Sequence, residues 1–235
     1  MLIKKYILCL LLLVLMANST YAQTETDSPP QTHEKLYQIE LIIFARTESN
    51  PQEYWPHDLK LGYPENLYSL NPQGNTPEGF LPVPTNERLL APQAATLARS
   101  GSYTLLYHQA WRQMIYGRKT NLAISGGKTV GDHQELEGSI ALSVGQYLKI
   151  QTNLWLTQFA VAGTNITETW PELPQLPNSG FSDTQKNSDF LIKRIVKISQ
   201  ERSMRSNEIH YIDHPLLGII IKIVPYDPGN AKPNS

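Results

Sequence analysis

Seven side chains that can do chemistry crowd residues 202–215: Arg202, Arg205, Glu208, His210, Tyr211, Asp213 and His214. No other stretch of the 235 residues is so dense in charge and imidazole. Such a set could ligate a metal, move protons in a hydrolysis, or grip a ligand. His210 and His214 are four apart, which lets two imidazoles share one ion on a helix. On an extended strand the same spacing holds them on one face but too far apart without a bend, and no third ligand cluster accompanies them. Glu208 and Asp213 could serve as acid and base for glycan cleavage. Glu40, Glu135, Glu137 and Glu168 are equally available, and salt bridges from Glu208 and Asp213 to Arg202 and Arg205 are the plainer use. The chain has no Gly-x-Ser-x-Gly, and Gly126-Gly127 lacks the spacing of a nucleotide loop.

Binding is what these residue types support best. Arginine grips carboxylates through paired hydrogen bonds, and tyrosine or tryptophan faces stack on sugar rings and on lactyl-peptide methyls. With Trp111 added, the candidate ligand-binding set is Trp111, Arg202, Arg205, Glu208, His210, Tyr211 and His214. No catalytic residue, metal or cofactor is expected. The competing use of the same residues is to brace a sheet.

A sheet is what should hold them, because the run lies between two β-branched apolar segments, 190–198 and 216–224. Residues 37–45 alternate and then turn fully apolar, as in a strand entering the middle of a sheet. From 46 to 84 seven prolines forbid regular helix or ladder, and Tyr54, Trp55, Tyr63 and Tyr68 are placed to pin this loop to the body. Pro92 and Gly101 bracket a short helix at 91–100. A strand follows at 103–114, and Gly126, Gly127 and Gly131 mark a turn region. Residues 139–144 and 147–159 form a hairpin about the two-residue connection Gly145-Gln146. In its second arm Leu148, Ile150, Thr152, Leu154 and Leu156 face the core, leaving Trp155 on the other face, under the helix or exposed. Residues 169–188 are a second proline-rich excursion, 190–204 are a strand in preference to a helix, and 217–224 are the last strand. Six strands, one short helix and two long proline-rich loops describe an α+β fold with a mostly antiparallel β-sheet.

Residues 1–22 read as a secretory signal peptide: Lys4 and Lys5, an apolar run at 6–16, and a cut after Ala22. The run is too short to span a membrane. Cleavage removes Cys9, the only cysteine, so the mature fold has no disulfide and rests on an ordinary core. It also takes two of the 20 basic residues and none of the 21 acidic ones, leaving 18 and a formal charge of −3. That balance disfavours nucleic acid. The expected order is signal peptide 1–22, flexible segment 23–35, one domain 36–228 and tail 229–235, with no membrane-spanning segment after processing.

Five blocks carry a likeness: Tyr37-Gln-Ile-Glu-Leu-Ile-Ile-Phe-Ala-Arg46, Glu53-Tyr-Trp-Pro56, Tyr103-Thr-Leu-Leu-Tyr-His-Gln-Ala-Trp-Arg-Gln113, the Glu137-Gly138 hairpin, and Met204-Arg-Ser-Asn-Glu-Ile-His-Tyr-Ile-Asp-His-Pro-Leu-Leu-Gly218. In this order the chain resembles the CsiV family of periplasmic cell-shape integrity proteins of Gram-negative bacteria. The resemblance implies a periplasmic protein that binds peptidoglycan without enzymatic activity. It further implies support of cell-wall synthesis together with an outer-membrane lipoprotein that activates a penicillin-binding protein. It brings no binding residues. One departure is visible, since Arg202 is followed by Ser203 where the family pattern implies a second arginine. The alternative function is an interaction-only envelope adaptor without direct glycan binding.

Overall fold

The computed structural model describes residues 35–47, 56–70, 79–160, 164–166, 168–177 and 190–230, all within the unit 33–235. The expected signal peptide, residues 23–34, the aromatics Tyr54 and Trp55, and residues 231–235 lie outside the described residues.

The apolar run that ends at Ala45 becomes the centre of a sheet. β1 (Lys35–Arg46) pairs antiparallel with β4 (Tyr103–Ile115) on one side and β10 (Leu217–Pro225) on the other. β3 (Phe80–Pro82) flanks β4, and β9 (Ile209–Asp213) flanks β10, giving the order β3-β4-β1-β10-β9. The second sheet contains β2 (Leu67–Ser69), β5 (Thr120–Val130), β6 (His133–Val144), β7 (Leu148–Phe159) and β8 (Ile192–Met204), in the order β2-β5-β6-β7-β8. Every pairing is antiparallel except β2 with β5. The expected α+β class with mainly antiparallel sheet is what the chain adopts.

The two sheets bury one face each in a common core. Ile39, Leu41 and Ile43 of β1 join Leu122, Ile140, Ile150, Leu154 and Ile198 of the second sheet there. Each such side chain contributes about 1.5–3 kcal/mol by leaving water. The outer face of the first sheet is covered by the helix α1 (Ala91–Arg99): Leu90, Ala94 and Leu97 pack on Ile42 and Phe44. Pro92 occupies its first turn, where a missing N–H costs nothing.

Several expectations are corrected. The described residues contain ten strands, not six. β2 and β3 arise inside the proline-rich segment, because three-residue strands at sheet edges need few ladder bonds, and Pro82 ends β3. Gly126 and Gly127 lie within β5 at a register shift, and the turn is Gly131-Asp132. The glycines serve close approach instead: a Cβ on Gly126 would lie 2.2 Å from the Leu106 carbonyl oxygen. The β6–β7 pairing closes at Val144 with Leu148, so the connection has three residues, 145–147.

Trp155 is fully buried, but under loops and not under the helix. Leu59, Leu61, Tyr63, Trp170 and Leu173 cover it together with Ile195. Tyr63 thus acts as the expected anchor, its ring 5.1 Å from Trp155. Tyr68 instead stays 42% exposed.

Candidate functional site

The dense run is held by strands, but it does not form one surface. Arg202 and Met204 end β8 at the edge of the second sheet, and β9 then lies at the edge of the first. The chain crosses between sheets through residues 205–208, with Asn207 at φ 68° donating its N–H to the Ile223 carbonyl at 2.8 Å. Asparagine is among the few residues that tolerate that left-handed backbone. Period-two alternation in β9 then sends Tyr211 and Asp213 to the outer face, while His210 and Ile212 turn inward.

On the outer face the polar groups satisfy one another. Arg46, which ends β1, donates from Nη2 to the Tyr211 hydroxyl at 2.7 Å and to Asp213 Oδ1 at 2.6 Å. The Tyr211 hydroxyl donates to the same Asp213 oxygen at 2.7 Å. Hydrogen bonds from Tyr211 and Arg46 hold the Asp213 carboxyl below its ordinary range, and burial with the Asp213 bond pushes the Tyr211 phenol up to about 12. The Tyr211 ring stacks on Phe44 at 6.4 Å and 6°. The partner of Asp213 is therefore Arg46, not Arg202 or Arg205. Arg202 instead donates to the Tyr211 carbonyl at 3.1 Å, stitching β8 to β9.

At the turn His210 Nε2 faces the Arg205 carbonyl at 3.2 Å and Glu208 Oε2 at 3.8 Å. The nearest partner of Glu208 is thus His210. His214 Nδ1 accepts the Leu216 N–H at 3.3 Å, beyond the end of β9. The two imidazoles do not converge, and among the described residues no group of three or more His, Cys, Asp or Glu is placed to hold a metal. Trp111 is only 2% exposed, within the core between the sheets, and its indole N–H donates to Gln113 at 2.7 Å.

What the turn does form is one wall of a groove. The groove, about 510 Å³, opens at the end of the stacked sheets where β1 and β7 begin. Lys35, Tyr37, Tyr147, Arg205, Ser206 and Glu208 line it. Tyr147 is 46% exposed, and Lys35 and Arg205 have no ion-pair partner among the described residues. Some other cations are paired, Lys149 with Glu201 at 3.5 Å and Arg112 with Glu87. The groove can therefore receive a carboxylate beside an aromatic face.

Two buried polar clusters lie away from this end and hold loops. Glu40, wholly buried, faces His108 Nε2 at 2.6 Å and accepts the Leu89 N–H just before α1. Burial alone would raise its carboxyl, but His108 and the Leu89 and Leu90 amides hold it below the ordinary value. Glu137 faces His133 Nδ1 at 3.2 Å and accepts the Trp155 indole N–H at 3.4 Å, under the loop layer. Both carboxylates are occupied by structural partners.

Of the seven expected residues, Arg205 and Glu208 line the groove, with His210 behind them. Lys35, Tyr37 and Tyr147 were missed. Tyr147 carried a signal, an exposed aromatic beside a glycine turn; Lys35 is brought there only by the pairing of β1 with β4. Among the described residues no helix is long and apolar enough to cross a membrane. A family model described as peptidoglycan-binding protein, CsiV, matches residues 7–226, nearly the whole chain. Comparison with curated proteins and with solved structures gave no match.

Proposed function

This chain belongs to the CsiV family of peptidoglycan-binding proteins, not a family of enzymes, and on that premise we propose that it binds peptidoglycan through the end groove without cleaving it. The observation that carries the proposal is the placement of Lys35 and Arg205, neither in an ion pair among the described residues, with the exposed Tyr147 ring around one groove that Glu208 also lines. Peptidoglycan offers the complementary chemistry, since its peptide stems carry carboxylates and its sugars and lactyl groups present apolar faces. The expectations of a periplasmic location and of a signal peptide fit this ligand.

The finer role is support of cell-wall synthesis beside an outer-membrane lipoprotein that activates a penicillin-binding protein, as the resemblance implies. Sedimentation of the purified protein with isolated sacculi is the test. The protein should pellet with sacculi and Arg205→Ala should pellet less; protein left wholly in the supernatant at every salt concentration would overturn the proposal. Release of soluble muropeptides from the same incubation would overturn its non-enzymatic part.

A further inference from the structure

We infer that a second groove beside the first is a saccharide subsite, so that the ligand is a segment of glycan strand bearing a peptide stem and not a free peptide. The inference rests on the peptidoglycan reading above and deepens it. The second groove, about 490 Å³, is lined by Asn66, Tyr68, Phe80, Tyr116, Arg118 and Lys119, among others.

The two linings have no residue in common but are joined through paired backbone. Lys35 of the first pairs across the sheet with Ile115, which stands between Met114 and Tyr116 of the second. Val144 of the first donates its N–H to the Tyr116 carbonyl at 2.8 Å. One extended polymer lies over both in the proposed complex.

Their linings differ in a way that divides the ligand. The first groove brings Lys35 and Arg205 to a place where a carboxylate would be gripped. The second adds rings: Tyr68 is 42% exposed and held against Phe80 at 5.3 Å, and the Arg118 guanidinium lies 5.4 Å from the Tyr116 ring. Rings fixed by neighbours lose little freedom when a pyranose stacks on them. Arg118 has no ion-pair partner among the described residues. Asn66 and Thr120 supply amide and hydroxyl groups suited to sugar hydroxyls and N-acetyl groups. A free peptide would leave these rings uncovered, whereas an amino-sugar strand covers them.

The experiment compares three ligands: intact sacculi, soluble glycan strands stripped of stems by an amidase, and free stem peptide. Wild-type protein should bind sacculi and stripped glycan. Tyr68→Ala and, separately, Arg118→Ala should lower affinity for stripped glycan about tenfold, the loss of one stacking contact. Free stem should bind weakest, and Arg205→Ala should lower affinity for sacculi while leaving stripped glycan unchanged. Circular dichroism checks the fold of each variant, and Arg118, on an exposed turn, keeps the test alive if Tyr68→Ala unfolds. Binding to sacculi with no binding to stripped glycan, or with both groove variants unaltered, would overturn the subsite alone. No binding to sacculi at all would overturn the peptidoglycan reading, and this inference with it.

Discussion

Phe44 lies across Gly218, its register partner on β10, so closely that a Cβ on Gly218 would sit 2.2 Å from the ring. The ring in turn meets Tyr103 edge-on at 5.1 Å and stacks with Tyr211. Gly218 is thus a packing requirement and not a turn signal. Gly218→Ala should cost about 1–3 kcal/mol through overpacking, read as a lower urea midpoint with an unchanged m-value. A wild-type midpoint would show that Phe44 can swing away freely.

Arg205 and Tyr211 should separate into a binding residue and a structural one. Arg205→Ala should weaken sacculus binding roughly ten- to hundredfold, a charged hydrogen bond's worth, and leave Tm unchanged. Tyr211→Ala should lower Tm by uncovering Phe44 and freeing Arg46 and Asp213, with little change in binding per folded molecule. The opposite pattern would move the site to the outer face of β9.

Glu40 should give stability a carboxylate-dependent edge in acid. Its folded value lies below the ordinary 4.5, so its contribution is present above that value and is lost as pH falls through the depressed one. Glu40→Gln should destabilise the protein by about 1–3 kcal/mol at neutral pH, because His108 and the Leu89 and Leu90 amides lose their anion. The gap between variant and wild type should narrow in acid, as thermal melts from pH 7 downward would show. A constant gap would mean that the charge of Glu40 contributes nothing.

Trp155→Ala should remove the anchor of the loop layer. The cost should be about 3–5 kcal/mol, and limited proteolysis should cut first within residues 57–63 and 168–175, which pack on this ring. Cleavage elsewhere, with these loops still protected, would show that Lys197 to the Lys60 carbonyl and Asn153 to the Gly62 carbonyl suffice to hold the layer.

Binding through uncompensated surface cations should fall with salt. Sacculus affinity should drop steadily as ionic strength rises from about 0.05 to 0.5 M, over which the screening length shrinks to a few ångströms. The Arg205→Ala and Lys35→Ala variants should show a shallower slope, and an identical slope would move the contact to another set of charges.

Local chemistry by itself was enough for a good deal of this protein. Alternation and β-branched runs placed β1, β4, β7, β8 and β10, Pro92 and Gly101 bracketed α1, and the five quoted blocks pointed to the family that the match over residues 7–226 now shows. These signals are short-range: period, propensity and caps are written in neighbouring residues.

Tertiary structure decided the rest, since register and sheet order are set by residues far apart in sequence. Arg202 to His214 looked like one strip, yet the crossing between sheets and the pleat of β9 send Tyr211 and Asp213 to one face and His210 to the other. Asp213 finds Arg46, 167 residues away, and Trp155 lies under loops whose fold no local pattern announced. Lys35, Tyr147 and Arg205 meet only because strand ends from both sheets are brought to one end by their cross-strand pairing. The sequence held the polar and aromatic residues, and only the packing of two sheets chose which of them line one groove.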